Sequence, residues 1–203
     1  MKSINPNNLA ERDNYKFLTG SIIPRPVAFV TTLSKEGVLN AAPFSYFNVV
    51  STNPPMISIS VQRKNGEMKD TSRNAISLKE FVVHVSDVSY IHQLNMTAKN
   101  LPSNESEVED ANLTVIDSLK ISVPGIKEAR VRMECVLEEV ISLGGTKERP
   151  TCELLIGRVV MYHICNELYE NGKIDAKGLQ PVARLAGNSY AKLGEQFELE
   201  RPT

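Results

Sequence analysis

Apolar positions recur with a period near two over much of the chain. From Met56 to Gln62, Ile57, Ile59 and Val61 alternate with Ser58, Ser60 and Gln62, the mark of a strand with one buried face. Val27–Leu33 and Phe81–Val85 are instead continuous apolar and β-branched runs, and the turn signal Ser34-Lys35-Glu36-Gly37 follows the first. Val131, Met133, Cys135, Leu137, Ile141 and Leu143 share one parity, which Glu139 interrupts. Gly144-Gly145 then marks a turn, and Glu153 to Ile164 completes a long hairpin. Helical signals are fewer. Asp70-Thr71-Ser72 predicts a capped helix running to about Glu80, and Ser89 a second through Met96. Prolines at 24, 26, 43, 54 and 55 confine the first half to strands and loops. The pattern predicts a mostly β chain, an antiparallel barrel with a few peripheral helices, with a sandwich as the alternative. The acidic stretch Ser103–Asp110 reads as a solvated surface loop.

Composition narrows the function classes. At 203 residues, one domain over 1–203 is expected, large enough to bury a core without disulfide or metal staples. Lys and Arg total 23 against 24 Asp and Glu, so there is no basic field for nucleic acid. No apolar run approaches the length of a membrane helix, and the first residues contain no apolar signal core, so no membrane partner is expected. Cys135, Cys152 and Cys165 are an odd number without C-x-x-C spacing, which fits a reducing cytoplasm. G-x-G-x-x-G, Walker A and G-x-S-x-G patterns are missing. His84, His92 and His163 lack zinc-ligand spacing; His84 and His163 read as hydrogen-bonded core histidines, and Cys135 as an inert buried thiol.

One segment departs from the neutral balance. Gln62–Arg73 carries Arg63, Lys64, Lys69 and Arg73 against Glu67 and Asp70, and it joins a strand to a helix start. Free N–H groups and the helix dipole favour an anion there, with Lys69 supplying charge, Thr71 or Ser72 a hydroxyl, and Asp70 a capping or orienting role. A solvated basic turn before a capped helix accounts for the same residues. Upstream, Asn40-Ala41-Ala42-Pro43-Phe44-Ser45-Tyr46-Phe47 mixes small, hydroxyl and aromatic side chains, suited to a planar ligand approaching the backbone.

Together these pieces resemble the flavin reductase-like, FMN-binding split β-barrel family, flavoredoxins included. The match lies in Gly20–Thr32 with its Pro24-Arg25-Pro26-Val27-Ala28, in Gly37–Phe47 with Asn40-x-Ala42-Pro43-Phe44-Ser45-Tyr46-Phe47, and in Asn53-Pro54-Pro55-Met56. Lys69-Asp70-Thr71 with Asn74, Leu155–Val160 and Arg184–Tyr190 complete it, although Ala186 stands where many relatives have Gly. The resemblance implies a Greek-key-like split barrel, a homodimer, bound FMN, and either hydride transfer from NAD(P)H to flavin or electron transfer through bound FMN to another acceptor. It implies that Asn40, Ala41, Ala42, Pro43, Phe44, Ser45 and Phe47 line the flavin. Ser60, Arg63, Lys69 and Thr71, with Asp70 beside them, would hold its phosphate. Asn74 would contact the flavin or brace the helix, and Arg184, Gly187 and Tyr190 would approach the ring or the nicotinamide. No side chain is expected to act as a catalytic acid or base, because the flavin carries the reaction. Backbone amides of residues 41–45, with Ser45, are the candidates for stabilising charge on the reduced ring. A non-catalytic barrel that binds a small anion or a protein partner is the third reading.

Overall fold

A computed structural model describes residues 1–99 and 101–202. Seven strands pair into one antiparallel sheet: β1 (Ala28–Leu33), β2 (Leu39–Phe44), β3 (Phe47–Thr52), β4 (Pro55–Gln62), β5 (Glu80–Val85), β6 (Val131–Leu143) and β7 (Cys152–Ile164). Their spatial order is β2-β1-β5-β6-β7-β4-β3. The outermost strands, β2 and β3, are therefore consecutive in the chain, joined only by Ser45 and Tyr46. A link that short holds the two edges within roughly 11 Å, so the sheet has to curl into a barrel split along the β2–β3 seam. The Ser60 N–H donates to the Tyr46 carbonyl beside that seam, at 2.8 Å.

Alternation sorts the side chains. Ala28, Val30, Phe44, Ile57, Ile59, Val61, Phe81, Val83, Cys135, Leu137 and Leu155 fill the barrel, and Ala75 of helix α2 (Asp70–Leu78) joins them. Phe29, Leu39, Ala41 and Val82 point outward into a second core with Tyr90, Leu94, Val108, Leu113 and Ile126. β1 and β5 are thus covered on both faces, which is why their sequences run apolar without alternation.

Four expectations change. The shared parity of Val131–Leu143 breaks at a bulge: Leu137 pairs with Gly157 but Glu139 with Ile156, leaving Glu138 as the extra residue. Beyond it Val140 packs on the core while Ile141 and Leu143 face solvent. A helix, α1 (Glu11–Ser21), occupies the first half. It ends before Pro24, and its single buried residue is Thr19, so it has little apolar periodicity to betray it. The helix expected to begin with an Asp70–Ser72 cap has Lys69 as its N-cap, with no side-chain cap bond, and stops at Leu78. The acidic stretch is not wholly solvated, because Glu107–Asp110 form a short helix that buries Glu107 and Val108. The second expected helix covers Ile91–Met96.

A small three-stranded sheet brings the late chain to the seam: Arg25–Pro26, Val182–Arg184 and Tyr190–Lys192, with Arg25 opposite Arg184.

Candidate functional site

Two clefts meet at the seam. One, of about 410 Å³, is lined by Asn40, Ala42, Lys69, Asp70, Thr71 and Glu107 among others. The second, of about 400 Å³, is lined by Tyr15, Arg25, Ser45, Tyr46, Ser60, Arg184 and Tyr190 among others. Pro43, Phe44, Lys69 and Ala98 belong to both, so the clefts form one trough across the end of β2.

The first cleft is built by α2. The tight turn Lys64–Glu67, with Asn65 and Gly66 at positive φ, reverses the chain and aims the helix N-terminus at β2. The first helical bond runs from the Arg73 N–H to the Lys69 carbonyl, which leaves the earlier amides of the turn without helical acceptors. A buried network sews this end to the barrel. The Asn40 side-chain amide donates to Thr32 Oγ1 at 3.2 Å and Thr71 Oγ1 at 3.1 Å, and Asn74 donates to Thr32 Oγ1 at 3.3 Å. Both Asn40 amide hydrogens are therefore taken, leaving its carbonyl oxygen for a ligand, while the Thr71 hydroxyl proton stays free to be donated. Lys69 is exposed as a residue, with its ammonium 5.9 Å from the Phe44 ring centroid. Burial of that ammonium, and then the charge of Lys64, lower its pKa. Asp70 is paired with Arg73 and so does not oppose an incoming anion with its full charge.

β2 supplies fewer free amides than the sequence suggests. Its outer edge is met by the acidic segment: Ser106 Oγ donates to the Leu39 carbonyl at 2.6 Å, and the Ala41 N–H donates to Glu107 Oε2 at 3.1 Å. Pro43 has no N–H. Of residues 41–45, Ser45 remains, with an amide and hydroxyl that carry no hydrogen bond among the described residues. Glu107 was missed by sequence reasoning, since an acidic run gives no sign of which carboxylate turns inward. Burial raises its pKa, opposed by the Ala41 N–H.

The residues expected at the site divide between the two clefts and the surrounding fold. Asn40, Ala42, Pro43, Phe44, Lys69, Asp70 and Thr71 line the first cleft, and Ser45, Ser60, Arg184 and Tyr190 the second. Ala41, Phe47, Arg63, Asn74 and Gly187 line neither. Arg63 points away into an ion pair with the fully buried Glu153, Nε to Oε1 at 2.7 Å, so it is not free to hold a phosphate. Gly187 acts through its carbonyl, which accepts from Arg184. Tyr15, Arg25 and Tyr46 were not expected; α1 carries Tyr15 to the trough, and only the tertiary fold brings it there.

The sequence pattern of the flavin reductase like domain matches residues 19–180. The chain belongs to that family. Arg184, Gly187 and Tyr190 lie beyond the matched span. The nitrilotriacetate monooxygenase component B from Bacillus cereus is 68% identical, with a TM-score of 0.97 over 98% of each chain. The 2-nitrobenzoate 2-nitroreductase NbaA of Pseudomonas fluorescens is 30% identical, with a TM-score of 0.89 over 100% of this chain and 97% of its own. A chain with a split barrel domain from Shewanella frigidimarina, 21% identical, shares the fold at a TM-score of 0.83 over 97% and 96%. The flavin reductase-like chain is therefore a split-barrel flavin-binding oxidoreductase. No helix of the described residues is long and apolar enough to cross a membrane.

Proposed function

We propose that the chain is an FMN-dependent NAD(P)H:flavin reductase, acting in the cytoplasm as a homodimer. The observation that carries the choice of FMN is the start of α2. Lys69, the unsatisfied amides after it and the Thr71 hydroxyl converge on one cleft, a donor set suited to a phosphate monoester. Bound there, FMN would supply the redox chemistry, as the acceptor of a hydride from NAD(P)H.

The chain's own residues bind, orient and polarise. Lys69 and Thr71 anchor the phosphate, and the Asn40–Thr32–Asn74 network keeps Thr71 in place. Pro43 and Phe44, shared by both clefts, form the wall along which the tricycle would lie. Ser45 offers an amide and a hydroxyl to the pyrimidine edge, where negative charge grows. Tyr46, whose phenol burial holds in the neutral form, closes the other side. A second copy of the chain would cover apolar surface at Leu18, Ile22, Val49 and Val50, all 49% exposed or more. Component B of a monooxygenase among the relatives supports a flavin-supplying role. A nitroreductase supports the second reading, that the flavin stays bound and reduces another acceptor.

The test is FMN titration followed by NAD(P)H oxidation with added FMN. Lys69→Ala and Thr71→Ala should each weaken FMN binding about tenfold, the loss of one charge-assisted or donated hydrogen bond. Unchanged affinity in both variants sinks the assignment. Turnover that ignores added FMN but follows a nitroaromatic acceptor selects the second reading.

A further inference from the structure

Arg25 is 7% exposed, yet neither it nor Arg184 lies within ion-pair distance of any carboxylate among the described residues. Three backbone carbonyls, of Thr19, Ile22 and Leu185, accept from the terminal nitrogens of Arg25, and its Nε has no partner among the described residues. A buried guanidinium without a counter-ion is costly, and carbonyl dipoles offset only part of the cost. Arg184 stands opposite Arg25 in the small sheet and adds a second cation to the same cleft. Its guanidinium carbon lies 4.6 Å from the Tyr190 ring centroid, and its two terminal nitrogens bond the Tyr190 hydroxyl and the Gly187 carbonyl. Those contacts fix the plane of the guanidinium and leave three of its five N–H donors unassigned. The cleft that holds both arginines is lined by no Asp or Glu, and Tyr15, Tyr46 and Phe44 supply flat walls.

We propose that this end of the trough is a binding site for an aromatic monocarboxylate. Arg184 takes the carboxylate through its free N–H donors, Arg25 adds charge from beneath, and the ring lies between the tyrosines. Phosphate contacts are assigned to the other end of the trough, where Thr71 and the first amides of α2 lie, while Lys69 lines both clefts and adds positive charge to each. The site itself is argued from these side chains; its position next to a flavin rests on the function proposed above.

Benzoate and its uncharged isostere benzamide are titrated calorimetrically against the protein with and without FMN, with flavin occupancy followed by visible absorbance. Benzoate should bind at least about tenfold more tightly than benzamide, as expected for a charge-assisted pair. Arg184→Gln should abolish that preference, and Arg184→Lys should retain part of it. Equal binding of benzoate and benzamide, or a preference that survives Arg184→Gln, overturns the proposal. Inorganic phosphate displacing benzoate at equal concentration also overturns it, since the site would then select charge without the ring. A protein that takes up no FMN but keeps the benzoate preference defeats the cofactor assignment and leaves the anion site standing.

Discussion

Replacing Arg63 by Gln separates its two possible roles, a phosphate ligand or the counter-ion of Glu153. Arg63 follows β4 and reaches across to Glu153 on β7, with Nε and Nη2 2.7 and 2.6 Å from Oε1. The Glu153 side chain is 0% exposed and that of Arg63 17%, while Glu153 Oε2 has no partner among the described residues. Glutamine cannot replace the charge, so the carboxylate would be stranded where water does not reach. Breaking a buried pair in this way costs about 3–5 kcal/mol, and the residual exposure of the arginine end places this pair near 3 kcal/mol. For a domain of this size that is a fall in Tm of roughly 6–12 °C. The assay is urea and thermal unfolding of the flavin-free protein, alongside FMN titration under native conditions. Arg63→Met combined with Glu153→Met should recover most of the loss, because apolar replacement of a buried pair is often neutral. An Arg63→Gln variant with unchanged unfolding but FMN binding weakened tenfold would return Arg63 to the phosphate cradle and refute the reasoning.

Two further outcomes follow from buried groups on either face of the sheet. A Cβ on Gly157 would lie 2.3 Å from Cζ of the fully buried Phe81, far inside carbon–carbon contact. Gly157→Ala should therefore destabilise by about 1–3 kcal/mol despite its lower backbone entropy, and Phe81→Leu should relieve part of that in the double variant; additive losses in a double-mutant cycle would contradict it. His84 is held neutral by burial, which lowers its pKa from 6.5 to about 4 against the opposing bond to the Phe29 carbonyl. Between those values the unfolded chain binds a proton that the folded chain refuses. Stability should fall by about 3 kcal/mol as pH drops from 6.5 to 4. A His84 ring titrating near 6.5 by NMR would be inconsistent with this.

Strand positions were legible wherever one face is buried, because the period-two pattern of Ile57, Ile59 and Val61 is the packing itself. The basic turn and the helix that opens after it were legible too, since both depend only on local residues. What local pattern could not decide was which polar groups remain available. Asn40 and Asn74 look like ligand donors until the fold places Thr32 and Thr71 beside them. Arg63 looks like a phosphate ligand until β7 sets Glu153 against it. The bulge at Glu138 moved Ile141 and Leu143 outward, and no residue type there announces it. Residue order determines which segments become strands, because burying one face requires apolar side chains at alternate positions. The availability of each donor, and the meeting of Arg25 with Arg184, are decided by contacts across long stretches of chain, where hydrogen-bonding capacity is used up by partners that sequence spacing does not encode.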